Sequence, residues 1–347
     1  MKVQAVDLFC GVGGLTCGLI QAGINVRAGF DNDSTCQYAY EHNNKVPFHL
    51  RNIREVDGKE IIKLYDEDAI KVLVGCAPCQ PFSQMRFKLG KANAVDEKYN
   101  LLLEFGRLID EVQPDIISME NVPQIKETDV YNEFLKTLDK NKYHFDASTV
   151  YCPNYGIPQT RRRFVLVGSK LGSINLIAQT HNPKDVHVRN YIGDLPKIKA
   201  GQSDPKDPLH RSCALSKINL ERIQSSKPGG SWLDWPEKLR CDCHKKESGM
   251  TYASVYGRMS WDQIGPTITT QFNNYGTGRF GHPEQDRALS LREGAILQTF
   301  PRTYEFVDPL KKIVIRDVAR QIGNAVPPRL GIVIGKSIMR SLSKNKK

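Results

Sequence analysis

The sequence predicts an α/β fold, with a mostly parallel sheet and a smaller, loop-rich second domain. Three observations predict it. Through the first half, apolar runs of strand length alternate with helical stretches, the pattern of a parallel sheet covered on both faces. The first of these runs meets a glycine-rich turn directly. After about residue 170 the periodicity fades and Pro, Gly, Ser, His and Trp become frequent.

Taken in order, "VQAVDLF" reads as a strand and "GLTCGLIQAG" as a short helix closed by Gly23. "NVRAGFD" is a second strand and "STCQYAYEHN" a second helix. "IKVLVG" (70–75) and "PDIISMEN" (114–121) are further strands, separated by the helical "YNLLLEFGRLIDEVQ", whose Leu101, Leu102, Phe105, Leu108, Ile109 and Val112 recur at helical spacing. "RRFVLVGS" (162–169) is another strand. The stretch to roughly 285 holds all three Trp and many other aromatics, so it reads as a folded, turn-rich domain. "SLREGAILQTF" (290–300) returns to helix, and "VARQIGNAVPPRLGIVIGKSIMRSL" reads as a turn followed by an amphipathic helix. The expected organisation is residues 1–175, then 176–309 as the second domain, with 310–347 returning to the first.

The 347 residues are 40% hydrophobic and 25% charged, as in ordinary globular proteins. No run approaches the roughly 18 apolar residues of a membrane span. The opening "MKVQAVDLFCGVGG" reads as strand and turn and not as a signal peptide, so a cytoplasmic location is expected. Nine cysteines in such a chain argue against a disulfide framework. Lys and Arg outnumber Asp and Glu by 49 to 38, a net charge of +11. That balance suggests a polyanionic partner, nucleic acid first, although a scattered solubility surplus gives the same sum.

Two stretches carry chemistry. In "DLFCGVGGL" (7–15) glycines follow a strand, so backbone N–H groups and the next helix N-terminus can approach a ligand. The spacing of Gly11, Gly13 and Gly14 is neither the dinucleotide fingerprint nor a nucleotide P-loop. Asp31 ends the second strand, where a carboxylate can hold ribose hydroxyls. A nucleoside cofactor without a pyrophosphate fits better than NAD. The second stretch, "GCAPCQPFS", holds Cys76 and Cys79. A redox pair, half of a metal site, a nucleophile and inert packing are all open on local pattern. Against the first, the residues after Cys79 look like a loop, where a redox pair usually opens a helix. Against the second, no other Cys-x-x-Cys occurs. "MENVP" (119–123) ends its strand as "GCAPC" does, so Glu120 and Cys79 should emerge together at the carboxyl edge of the sheet, where ligands bind.

With these blocks, "YGIPQTRRRFVLVG", "LSLREGAILQTFP" and "QIGNAVPP", the chain resembles the DNA cytosine-5 methyltransferases of bacterial restriction–modification systems. The resemblance runs from residue 3 to about 335, in the family's order, with the loop-rich region where that family keeps its target recognition domain. It implies a Rossmann-like S-adenosylmethionine-dependent catalytic domain and methyl transfer to carbon 5 of cytosine in a specific double-stranded DNA sequence. It implies Cys79 as the nucleophile that adds to carbon 6, with Cys76 a bystander. Glu120 would protonate or hydrogen-bond ring nitrogen 3 and the amine. Arg163 would bind the cytosine carbonyl oxygen, with Arg161 its neighbour in the site. For the cofactor, the resemblance implies Phe9 against the adenine and Gly11, Val12 and Gly14 at the methionine side. It implies Asp31 on the ribose, with Asp7, Leu15, Pro78 and Leu101 completing the pocket. Two positions depart from the family. Asn52, with Ile53, stands where an acid usually bonds the adenine amine, and Asn32 stands where some relatives have an aromatic or aliphatic residue. Asn324 and Val326 would brace the catalytic loop and close the pocket.

A cytosine inside a duplex must be flipped out to reach Cys79. The Lys- and Arg-bearing stretch after it is expected to be a lid, with Gln80 and Ser83 near the displaced nucleotide. Specificity is expected from the second domain, from Thr267 beside Ile268 and from Arg279, which would read guanine or clamp phosphate. "CDCH" (241–244), with His210 and Cys213, offers zinc-ligand types. The spacing is irregular and the family needs no metal, so loop residues are the reading and no metal is expected. A monomer is expected, acting on DNA of the bacterial nucleoid apart from any cognate restriction endonuclease. Two rivals stand beside this reading: a tRNA cytosine-5 methyltransferase and a catalytically silent DNA-binding regulator on the same fold.

Overall fold

A computed structural model describes residues 2–78, 100–246, 249 and 253–344. The chain divides into two compact units, one of residues 1–155, 162–179 and 325–347, the other of residues 156–161 and 180–324.

The first unit is built on a seven-stranded sheet in the order β3-β2-β1-β4-β5-β7-β6. Its strands are β1 (Val3–Leu8), β2 (Asn25–Asp31), β3 (Phe48–Leu50), β4 (Ile70–Gly75), β5 (Ile116–Asn121), β6 (His144–Tyr151) and β7 (Arg162–Ser169). The first five in that order run parallel, while β7 is antiparallel to both β5 and β6. β1 and β5 are buried along their whole length, with the polar Gln4, Asp7, Ser118, Glu120 and Asn121 buried among their apolar residues. Helices Leu101–Val112 and Asp129–Lys140 lie together through Phe105 and Phe134, whose ring centroids are 5.6 Å apart, and close one core with Leu73, Ile117 and Leu166.

Helix α1 (Gly14–Gln21) packs against helix Pro328–Lys344 at glycine on both sides. A Cβ at Gly18 would lie 2.2 Å from the Pro328 carbonyl oxygen and 2.6 Å from Gly331 Cα, so two backbones touch where only hydrogen fits. Gly23, at φ +87°, turns the chain out of α1 toward β2.

The structure differs from the sequence reading in one C-terminal element. "VARQIGN" is not a turn but the end of a helix, Ile315–Asn324. It stops there because Pro327 and Pro328 follow, and a proline disfavours helical backbone in the residue before it. Pro328 then opens the last helix, where its missing N–H is no loss.

The second unit is made of turns and short helices, among them Arg189–Ile192, Lys217–Gln224 and Leu291–Leu297, and has no strand of two or more bridges among its described residues. One core gathers Ile223, Trp232, Trp235, Leu239, Tyr275 and Ala288. Elsewhere Arg287 and Glu293, both fully buried, form a two-pronged ion pair at 2.7 Å. Among the described residues, no helix is long and apolar enough to cross a membrane.

Candidate active site

Because β1, β2, β4 and β5 are parallel, their carboxyl ends open on one edge of the first unit. The register pairs Leu8 with Gly75 and Gly75 with Met119. The strand ends therefore lie side by side and bring Phe9, Asp31, Cys76 and Glu120 to that edge. β7 runs the other way, so its beginning reaches the same edge. Phe164 pairs with Asn121, and Arg163 lies one residue beyond.

Glu120 is only 3% exposed, and Arg163 Nε approaches its Oε1 to 2.9 Å. Oε1 makes no aligned hydrogen bond, so this contact rests on charge. The Arg163 guanidinium also donates to the Arg162 carbonyl at 2.8 Å. The other carboxylate oxygen, Oε2, accepts from the Cys76 thiol at 2.7 Å. Cys76 thus touches the carboxylate that the sequence reading gave to catalysis. Asn121, which sequence reasoning passed over, donates from Nδ2 to the Ala77 carbonyl at 3.1 Å. It fixes the chain just before Pro78, the residue preceding Cys79. Its place in "MENVP", directly after Glu120, is the only sign the sequence offers. Cys79, Gln80, Ser83 and the expected lid lie outside the described residues.

On the neighbouring strand ends, Phe9 adopts φ +59°, a region that residues other than glycine seldom enter, and Gly11 and Gly13 lie at +51° and +83°. Gly11 N–H donates to Asp31 Oδ2 at 2.8 Å, and Asp33 N–H to Oδ1 at 2.9 Å. Burial pushes the Asp31 carboxyl up, while these N–H groups pull it down. A Cβ at Gly11 would meet nothing within 4 Å, so the turn has open space above it. Val12, Gly14 and Leu15 are buried behind the turn. Asp7 sits beneath it. Its Oδ2 accepts from Thr16 at 2.7 Å, its Oδ1 is buried without a partner, and burial raises its pKa to about 7. Asn32 is exposed. Asn52 caps a short turn by accepting from Arg54 N–H at 3.3 Å, and Ile53 is buried in the core. Pro78 and Leu101 are half-buried and Val326 is buried, all in this unit.

The remaining expected residues belong to the second unit. Arg161 is buried there and donates to the Ile268 carbonyl at 3.1 Å. Gln159, missed from sequence, accepts from Ile268 N–H at 2.8 Å and donates to the Leu297 carbonyl at 2.8 Å. The Thr267–Ile268 segment is therefore held by "PQTR", a motif whose glutamine drew no notice because a neutral amide signals no chemistry. Arg279 turns its guanidinium onto the Gly229 carbonyl. Asn324, the last residue of its helix, is exposed. His210 is bonded to Ser290 Oγ and the Pro196 carbonyl, both at 2.8 Å, and the Cys213 sulfur accepts from Asn273 at 3.3 Å.

Residues 3–340 match the family model described as C-5 cytosine-specific DNA methylase. The type II methylase M.HgiDII of Herpetosiphon aurantiacus is 55% identical over 346 residues, covering 99% of this chain and 96% of that protein. The type II methyltransferase M1.BsuMI of Bacillus subtilis is 31% identical, covering 98% and 81%. Among solved structures, the methyltransferase EhMeth of Entamoeba histolytica superposes with a TM-score of 0.67 over 99% of both chains at 18% identity, a likeness of fold.

Proposed function

The chain belongs to the C-5 cytosine-specific DNA methylase family, and from that premise we propose how its own residues carry out the reaction. It is a DNA cytosine-5 methyltransferase of the type II restriction–modification kind. The cofactor proposed is S-adenosylmethionine, which when bound supplies a methyl group made electrophilic by its sulfonium. The first unit fits it. The open space over Gly11 receives the ligand, Asp31 has lone pairs left for ribose hydroxyls, and the N–H groups entering α1 favour a carboxylate. Phe9, Val12, Gly14 and Leu15 complete that side, with Asn52, Ile53, Pro78, Leu101 and Val326 around it.

In the proposed reaction a target cytosine leaves the duplex and enters the edge where Glu120 and Arg163 meet. The Cys79 thiolate forms a bond to carbon 6, and the electron pair of the 5,6 double bond moves to carbon 5. Glu120 protonates or hydrogen-bonds nitrogen 3, and Arg163 stabilises negative charge on the carbonyl oxygen. Carbon 5 would then take the methyl group that the bound cofactor supplies, the electron pair of the broken methyl–sulfur bond staying on sulfur. The carbon 5 proton leaves to a base, the 5,6 double bond re-forms, and Cys79 departs as thiolate. The observation that supports this reading most is the pairing of buried Glu120 with Arg163, 2.9 Å apart, with Glu120 on β5 beside the strand that leads to Cys79 and Arg163 on β7 next beyond it. Cys76, which donates to Glu120, orients the carboxylate and does not attack.

The second unit is proposed to recognise the DNA sequence, with Thr267, Ile268 and Arg279 in the recognising region and Arg161 and Gln159 holding it from within. The protein acts as a monomer in the cytoplasm and protects host DNA from a separate endonuclease. The test is expression of wild type and Cys79→Ser in a host without cytosine methylation, followed by base-resolution mapping. Methylation confined to one short motif, and absent with the variant, is expected. Unmethylated DNA despite folded, cofactor-binding protein would overturn the reading and turn attention to RNA substrates or a silent regulator.

A further inference from the structure

We propose that Cys241, Cys243 and His244 of the second unit bind a zinc ion that fastens their loop to the tryptophan core. Sequence spacing alone favours ordinary loop residues here, and the structure supplies what spacing lacks. The two sulfurs and a ring nitrogen of His244 lie within 4.8 Å of one another. Around a tetrahedral zinc with bonds of about 2.3 Å to sulfur and 2.0–2.1 Å to nitrogen, such atoms stand roughly 3.5–3.8 Å apart, within reach of small side-chain rotations. His210 and Cys213 make their own hydrogen bonds elsewhere and take no part.

A second observation is independent of this clustering. His244 is 5% exposed, and its Nδ1 is buried with no hydrogen-bond partner. A buried polar atom left so is costly. Its imidazole is held by Trp232, stacked at 4.2 Å, and meets the edge of Tyr256 at 5.8 Å. The ring thus cannot swing out to water without abandoning the core. A ligand that fixes the ring's tautomer, by coordination at one of its nitrogens, accounts for its burial.

The chemistry of the set selects the ion. Two thiolates and an imidazole favour zinc over magnesium or calcium, which prefer oxygen. Arg222 lies over Trp235 at 5.3 Å and Arg240 over Trp232 at 5.9 Å, so cations already border the site. Two thiolates cancel the charge of a divalent ion, and the loaded site adds no net charge beside those guanidiniums. Three protein ligands leave a fourth position, which solvent fills on the side where Cys243 is exposed. The backbone is already shaped. The ligands lie on and beside the 3-10 turn Asp242–Lys245, and a Cβ at Gly249 would fall 1.8 Å from the Cys243 carbonyl oxygen. A core of a few aromatic residues tied by turns is the setting in which a metal staple contributes most.

The test is the zinc content of the tag-free full chain purified under reducing conditions, and the absorption of its cobalt-exchanged form. About one zinc per chain and a thiolate-to-cobalt charge-transfer band are expected. C241S/C243S should lose both, and C213S should keep both. A wild-type chain with no zinc and no band, or a C241S/C243S chain that keeps its metal, overturns the proposal. If C241S/C243S fails to fold, alkylation of wild type decides. Zinc should shield Cys241 and Cys243 and a chelator should open them, whereas equal labelling, or a disulfide between the two, overturns it.

Discussion

Glu120 carries the strongest claim at the scale of single residues. Its type, at the end of an apolar strand, was enough to mark it, because a carboxylate there is either paired or working. Arg163 is marked by the family resemblance alone, as the last residue of "RRR". Its neighbour Arg161 lies in the second unit, where it bonds the Ile268 carbonyl. Consecutive arginines look alike in sequence, and only the start of β7 at Arg162 separates their fates. Asn121 and Gln159 escaped notice because their work is to hold backbone carbonyls and N–H groups, which no residue type announces. Glu120→Gln is expected to lower kcat by about 10²–10⁴-fold, the range of a lost acid–base group, with cofactor affinity unchanged. Cys76→Ala removes one hydrogen bond to Glu120 and is expected to cost no more than about tenfold. Single-turnover methylation assays separate the two, and a Cys76→Ala effect as large as that of Glu120→Gln would show that the thiol does more than orient.

At the scale of elements, β2, β4 and β7 were legible to the residue, because each is a short apolar run bounded by turn-forming or charged residues. β6 was not. Its residues are largely exposed or half-buried, as on a sheet edge, and "HFDASTVY" offers no continuous apolar signal. The antiparallel direction of β7 was also invisible, since direction depends on a connection and not on composition. Nor did sequence show why α1 holds glycine in mid-helix. Gly18→Ala raises helix propensity by about 1 kcal/mol. The added methyl would nevertheless stand 2.2 Å from the Pro328 carbonyl oxygen, and backbone cannot rotate away as a side chain can. Overpacking is expected to win, with a net loss of about 2 kcal/mol or more, read from the denaturant midpoint. An unchanged or raised midpoint would mean the two helices do not touch there.

Buried Asp7 in the first unit and buried Glu293 and His282 in the second respond to pH in opposite senses. In the first, burial raises Asp7 from 3.8 to about 7. The folded chain keeps a proton that the unfolded chain releases, so the stability this gives is complete below about pH 4 and is lost as pH rises through about 7. In the second, burial pushes Glu293 up, but the Arg287 guanidinium bonded to it prevails and holds it at about 2, while burial lowers His282 to about 4. Their contribution is present above about pH 6.5 and is lost as pH falls, through about 4 for His282 and toward about 2 for Glu293. Asp7→Asn is therefore expected to gain roughly 2–3 kcal/mol of stability relative to wild type between pH 5 and pH 8, the part of the shift that falls in that window. Denaturant unfolding at both pH values checks it, and an equal difference at the two would contradict the burial assigned to Asp7.

For the whole molecule, the central claim is that one thiol, Cys79 and not Cys76, joins the cytosine. The most direct measurement uses a duplex carrying 5-fluorocytosine at the methylated position. Carbon 5 then has no proton to lose after methyl transfer, so the adduct cannot release. The account predicts a protein–DNA complex that survives denaturation, with the nucleotide attached by mass spectrometry to Cys79, and no complex from Cys79→Ser. Attachment at Cys76, or no covalent complex from an active preparation, would contradict it.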